Sequence, residues 1–447
     1  MTPAENINDF VNNLLLGFLT KEEEAFYVPV YEEKLMEIKD LILHDRLENQ
    51  TIYVMGQVGT GKTTALNFLP DEDINGQFEV VTFYATDLFD MNDVDIADVL
   101  LIIAYQLMRG HSSLERKFQH ELEKIKKKLE GVSFETIEED HINRGGGAEI
   151  RAGIGNSPIG RFLGLLKAGV DVFANIRMDS HSREIVRQVF NVSPRDIFEV
   201  TNKVVAAYVE EVLKYKRKLL LVFNELDHVR NAEKIKKLFV DNRQYLDRLH
   251  CKKVISVPVV LMTYGEFQQS RDIISEYLGM KLLPNPIIGQ PPSVEVQTEI
   301  ERNKALFRQI VSKRIAPGLQ LISEDAVDYA IAKSGGIIRQ FIKILSYAGR
   351  RVRMLNRPLI TQEDVDYGAD RVRQELEASI IGMEKIRLLE SVRVNHTPKV
   401  GNEDLLIECF LANQIIGIRN EPTWYSLNPL IEETVEIYAN QSSETDN

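Results

Sequence analysis

The stretch YVMGQVGTGKTTALNFL, residues 53–69, limits the fold more than any other part of this chain. An apolar, β-rich run, TIYVM (51–55), stops at a glycine, and a helix-compatible run follows Gly61. Gly56, Gly61, Lys62 and Thr63 fit the spacing G-x-x-x-x-G-K-[ST]. Glycines let the backbone curl so that amide hydrogens face an anion, and the helix that follows adds its positive end. Lys62 brings a mobile positive charge for the β- and γ-phosphates, and the Thr63 hydroxyl a ligand for Mg2+. Gly56, Gln57, Val58, Gly59, Thr60, Gly61, Lys62, Thr63 and Thr64 are the expected nucleotide-binding residues, with ATP and Mg2+ as the expected ligands. A strand before the loop and a helix after it is the context this motif, Walker A, requires.

Such a loop needs a carboxylate at the end of a neighbouring strand to hold the metal. The run LLLVFNELDHV (219–229) resembles Walker B, except that Asn224 stands where aspartate is expected. An amide accepts a hydrogen bond from a metal-bound water but brings no charge, so weakened Mg2+ binding is expected. Asp227 compensates if its side chain turns toward the site. Thr63, Asn224 and Asp227 are therefore the candidate metal residues, direct or through water. His228 reads simply as the residue after the motif, and the 8 histidines show no ligand spacing that would point to another metal.

Along the chain, residues 1–50 read as helical with a break at Pro29. Strand patterns recur at 51–55, 78–85, 218–223 and 253–264, the last kinked at Pro258. Helical patterns fall between them, at 93–109 and 232–249 among others. This alternation predicts an α/β fold with a parallel sheet. Residues 112–130 read as a charged helix, 131–160 as a Gly-rich acidic loop, and 159–176 as apolar but interrupted by Arg161, Lys167 and Asp171, against a membrane span. After the proline-rich 282–293 the strand signals stop and 297–376 reads as helical. Residues 403–439 read as helix, strand, turn, strand, helix, which suits a small winged-helix-like module. The expected domains are a leading segment (1–50), a P-loop core (51–290, with an insertion at about 110–215), a helical lid (291–378) and the C-terminal module with its polar tail (379–447).

Composition narrows the partners. A net charge of -13 argues against a dedicated nucleic-acid-binding surface but allows a local basic patch, such as 215–218, 234–237 or 349–353. Two cysteines far apart, Cys251 and Cys409, give no disulfide framework, and the N-terminus has no secretory pattern. Both fit a cytoplasmic protein.

With these motifs in place the chain resembles AAA+/STAND-type P-loop ATPases, in the branch near origin-recognition ATPases. FYVPVYEEKLMEIKDLIL (26–43) resembles the segment that packs against adenine there, and SGGIIRQFIKILSYAGRRV (334–352) resembles the sensor-2 helix, with Arg339 at the γ-phosphate position. LITQEDVDYG (359–368) resembles the end of that lid. The resemblance implies ATP hydrolysis, with Glu225 polarising the attacking water and Lys62 and Arg339 as the other catalytic candidates. Sensor 1 would be Ser256 or Thr263, and an arginine finger from a neighbouring subunit in a homo-oligomer would be Arg248 or Arg271. The layout and the WYSLNP stretch also resemble bacterial ATPases found in mobile-element or anti-phage defence settings, which implies a protein partner or effector. Two rivals remain at this level: a slow nucleotide switch or scaffold, and a DNA-bound loader or regulator.

Overall fold

Three apolar runs form the centre of one parallel sheet. In the computed structural model, which describes residues 2–14, 17–114, 116, 194–214, 217–268, 274–284, 293–398, 401–418 and 423–445, these are β1 (Thr51–Met55), β3 (Lys218–Asn224) and β4 (Lys252–Val257). Nearly all their residues are buried, as expected where helices cover both faces of a sheet. The edge strands β2 (Phe78–Tyr84) and β5 (Ile274–Tyr277) are mostly half-buried. The order is β2-β3-β4-β1-β5, all parallel. Val54 pairs with Ser256, and Tyr84 with Asn224, so the C-terminal ends of the strands open onto one edge.

Lys252 and Lys253 are buried within β4. Lys252 donates to the carbonyls of Leu41, Ile42 and Asp45, at the C-terminal end of α2 (Glu32–His44), where a cation complements the helix dipole. Lys253 donates to the carbonyls of Asn49, Leu249 and Cys251.

The structure corrects several sequence expectations. The fourth strand stops at Val257 instead of running to 264: Pro258 has no N–H for the ladder, and the chain turns into a 3-10 helix, Val259–Thr263. The short, half-polar β5 gave no apolar run and was not expected. Residues 232–249 are not one helix. They divide into a helix Ala232–Lys236, a π-turn Lys237–Asp241 and a helix Arg243–Asp247. The leading segment comprises α1 (Ile7–Asn13), a 3-10 turn Lys21–Phe26 and α2. Of the expected insertion, a helix Pro194–Ala207 lies against the helix Ile96–Met108, with the Thr201 hydroxyl donating to the Leu100 carbonyl at 3.1 Å. The charged helix beyond residues 112–114 and 116, the Gly-rich loop and the apolar 159–176 lie outside the described residues. Among those described, no helix is long and apolar enough to cross a membrane.

The lid has four helices, Val294–Ser312, Glu324–Ser334, Ile338–Met354 and Gln362–Glu377. The start of the chain is fastened to it. The Ala4 N–H donates to the Arg314 carbonyl at 2.8 Å, and the Ala316 N–H to the Ala4 carbonyl at 2.9 Å. Helix α1 lies on the Ile338–Met354 helix, where the absent side chain of Gly349 leaves room for Val11. The C-terminal module is built from helices Met383–Asn395, Glu403–Leu411 and Glu432–Thr445 around an antiparallel pair, β6 (Ile415–Ile418) and β7 (Trp424–Leu427), with Trp424 fully buried.

Candidate functional site

The loop after β1 owes its path to its glycines. A side chain at Gly56 would overlap the Leu278 carbonyl oxygen. Gly59 sits at φ +89, and a Cβ there would stand 2.9 Å from the Cβ of Arg339. Both positions exclude other residues. Helix α3 (Lys62–Phe68) starts at Gly61, and the Tyr31 hydroxyl fixes the loop from behind by donating to the Thr60 carbonyl at 2.7 Å. The lid closes onto the same loop: the Arg339 N–H donates to the Gly59 carbonyl at 2.9 Å.

Lys62 is buried, and its Nζ donates to the carbonyls of Gly56 (2.7 Å) and Gln57 (2.8 Å) and to Asp227 Oδ2 (2.9 Å). Asp227 Oδ1 accepts from the Ser256 hydroxyl at 3.0 Å. Burial pushes the Asp227 carboxyl up, but the charges of Lys62 and His228 and the bonds from Lys62 and Ser256 outweigh it and hold the group below the usual range. Burial draws the Lys62 pKa below that of a solvated lysine, against the pull of Asp227. Three acceptors within 2.9 Å keep its proton in place, so the pair is ionic.

Asn224 and Glu225 of the acidic motif are engaged elsewhere. Asn224 is fully buried, its amide reaches Asn67 Oδ1 at 3.3 Å, and its own Oδ1 has no partner. Asn67 also accepts from the Tyr84 hydroxyl at 2.9 Å. Glu225 occupies left-handed backbone at φ +69 and takes a hydrogen bond from the Thr86 hydroxyl. His228 has its Nε2 at 4.0 Å from Asp227, and burial lowers its pKa.

These elements meet at a cleft of about 840 Å³, open to solvent. Its lining combines the polar Lys62, Thr63, Asp227, His228 and Arg339 with the apolar Phe26, Val28, Ile310 and Ile342 and the buried Arg314. The segment 17–19 lies across the start of α3, where the Leu19 N–H donates to Thr64 Oγ1 at 3.0 Å and the Asn67 amide to the Leu19 carbonyl at 3.1 Å.

The structure thus brings together Lys62, Thr63, Asp227, Arg339 and, behind Asp227, Ser256. Asn224 and Glu225 do not line the cleft. Thr63 and Thr64 lie in the first turn of α3, and Val58 lies between Gln57 and Gly59 in the turn. Thr263 is exposed and donates to the Val260 carbonyl, away from Asp227. Arg248 is exposed and does not line the cleft, and Arg271 lies outside the described residues. Among the basic clusters, Lys234 pairs with Asp93, Lys237 with Glu233, and Arg351 with Glu363.

Gln57 has a role no motif suggests. Its side chain is fully buried and leaves the glycine loop for the C-terminal module. There its amide nitrogen lies 2.5 Å from the Phe410 carbonyl, 3.0 Å from Asn413 Oδ1 and 3.1 Å from the Ile415 carbonyl. Tyr277 likewise donates to the Gly417 carbonyl. The lid and the module share a reciprocal pair, Gln340 with Asn428. Thr86, Tyr31, Arg314 and segment 17–19 also escaped the sequence reading, since each acts through a contact distant in sequence.

No family model and no curated protein matches the chain. Among solved structures it is similar to Cdc6p from Pyrobaculum aerophilum (13% identity, TM-score 0.41, covering 96% of this chain and 98% of that one). It is similar to the ORC2 protein of Aeropyrum pernix in ADPNP–ADP complexes (13%, TM-score 0.42, 96% and 98%). A Walker-type ATPase of Pyrococcus abyssi is similar at 12%, with TM-score 0.44 and coverage of 95% and 99%. At these values the likenesses carry no conclusion about chemistry or partners.

Proposed function

We propose that this chain binds ATP in the cleft at Gly56–Thr64 and hydrolyses it, so that nucleotide state changes how core, lid and C-terminal module hold together. One observation carries the reading: Lys62, Thr63, Asp227 and Arg339 line one cleft together with the apolar Phe26, Val28, Ile310 and Ile342. Phosphates suit the polar residues and a base the apolar ones.

The residues also suit Mg2+, a hard cation that prefers oxygen ligands. Thr63 offers a hydroxyl and Asp227 a carboxylate held charged. These two would hold the ion, which when bound neutralises charge on the phosphoryl oxygens; Asn224, outside the lining but with an unpartnered buried oxygen, would reach it through water. Lys62 must leave the Gly56 and Gln57 carbonyls to meet the phosphates. Arg339 joins the lid to the γ-phosphate, since its backbone already sits on Gly59. Ser256 keeps Asp227 oriented. Glu225 orients the attacking water once it gives up its bond to Thr86. Rate enhancement then comes from positioning and charge stabilisation.

A second reading, a slow nucleotide-controlled switch, is favoured by the uncharged Asn224 and by Glu225 being engaged with Thr86. Equilibrium binding of ATP with Mg2+ tests the common premise. Wild type and Glu225→Gln should bind alike, and Lys62→Ala at least about tenfold more weakly, as for a lost charged hydrogen bond. Equal affinity of Lys62→Ala would overturn both readings. Asn224→Asp separates them: a marked gain in turnover supports the switch, and no gain supports a competent enzyme.

A further inference from the structure

This inference rests on the proposed nucleotide cleft and concerns the arginine among its apolar residues. Arg314 lies just beyond the first lid helix, lines the cleft and is 2% exposed. Its Nε donates to the Asn13 carbonyl at 3.1 Å and its Nη1 to the Ile310 carbonyl at 2.8 Å. Its guanidinium carbon stands 5.5 Å from the centre of the Phe26 ring. No carboxylate among the described residues forms an ion pair with it, and burial alone pulls its pKa down to about 10.

A guanidinium carries five N–H donors, and carbonyls take up only part of that capacity here. A buried cation without a counter-charge is unfavourable unless its donors are satisfied. In the same cleft Phe26, Val28, Ile310 and Ile342 have apolar side chains, and among the described lining residues the one acidic side chain, Asp227, is bound to Lys62. A ligand group that completes Arg314 is therefore a hydrogen-bond acceptor flanked by apolar side chains. The edge of a purine ring has this chemistry: ring nitrogens that accept, and flat faces that pack on aliphatic side chains and Phe26.

We propose that Arg314 is a base-binding residue, donating from its guanidinium to an acceptor on the edge of the purine base of either ATP or GTP. The competing role is a clamp that only ties the leading segment to the lid through Asn13. The two roles differ in what they do to a ligand without a base.

The test compares binding of ATP, GTP and inorganic tripolyphosphate to the full chain and to Arg314→Gln and Arg314→Lys, by titration calorimetry. Arg314→Gln should weaken nucleotide binding about tenfold to hundredfold, the range for a hydrogen bond to a charged group, and leave tripolyphosphate within about twofold. Arg314→Lys, which keeps the charge but not the planar fork, should fall between. Equal loss for tripolyphosphate and nucleotides, or no loss for either, would overturn the proposal. If Arg314→Gln does not melt cooperatively, Arg314→Lys carries the comparison, and unfolding of both variants assigns Arg314 to the clamp. A wild type that binds neither ATP nor tripolyphosphate would refute the proposed function itself, a result distinguishable from failure of the variants.

Discussion

Asp227→Asn removes the negative half of a pair in which both side chains are 4% exposed and 2.9 Å apart. The variant keeps the shape of the site and an acceptor for Ser256, but it leaves Lys62 buried with only the Gly56 and Gln57 carbonyls. Breaking a buried ion pair from one side costs about 3–5 kcal/mol, and the remaining carbonyls place this case at about 3. At about 2 °C per kcal/mol for a sizeable domain, the melting temperature should fall by about 6 °C or more. Removing Lys62 as well should return part of the loss, because no unpaired charge is then buried. The assay is denaturant unfolding of nucleotide-free wild type, Asp227→Asn, Lys62→Met and the double variant. A coupling of at least about 2 kcal/mol is expected, since residues in contact are non-additive. Single and double variants additive to within about 0.5 kcal/mol would refute the ionic pair. Acid titration gives an independent sign. The folded Asp227 pKa lies below the unfolded value of about 3.9, so its contribution is complete above that value and lost as pH falls through the lower folded value. The wild type should therefore lose more stability on acidification than Asp227→Asn.

Other consequences follow from single contacts. Gly59→Ala puts a Cβ at positive φ and 2.9 Å from Arg339, so nucleotide affinity should drop at least tenfold, by about 1.4 kcal/mol or more, in a calorimetric titration. Gln57→Leu removes the amide from three acceptors in the C-terminal module. It should weaken docking by about 1–3 kcal/mol, seen as faster amide exchange in 401–418 with β1 and β4 unchanged. Thr86→Val frees the Glu225 carboxylate and should raise basal phosphate release severalfold without changing ATP affinity. An unchanged rate would mean that Thr86 does not restrain Glu225.

The strand, glycine loop and helix at 51–68 were legible because their requirements are local: a buried strand, glycines where Leu278 and Arg339 come close, and a helix start at Lys62. The lid was legible from the helical runs between 297 and 376, and the C-terminal hairpin from the apolar runs around 415 and 427. What could not be read depends on contacts between distant segments. β5 has no apolar run because it forms an edge of the sheet, beside β1. Asp227 and Asn224 are three positions apart, and only the turn at Glu225, with its positive φ, decides that Asp227 meets Lys62. Ser256 and Thr263 were equivalent in sequence until Pro258 ended the strand between them. Arg314 shows no spacing signal, since its partners Asn13 and Phe26 belong to the leading segment.

Phosphate release from ATP with Mg2+, across a protein concentration series and beside Lys62→Ala and Glu225→Gln, tests the central claim most directly. The account predicts turnover in the wild type and none above background in Lys62→Ala. It predicts a loss of about a hundredfold or more in Glu225→Gln, the size expected for removing a general base. A rate per molecule that rises with concentration would add that the working site is assembled between copies. Turnover in Lys62→Ala equal to that of the wild type would contradict the account, because the activity would then arise outside the cleft, and equal turnover in Glu225→Gln would contradict the role given to Glu225.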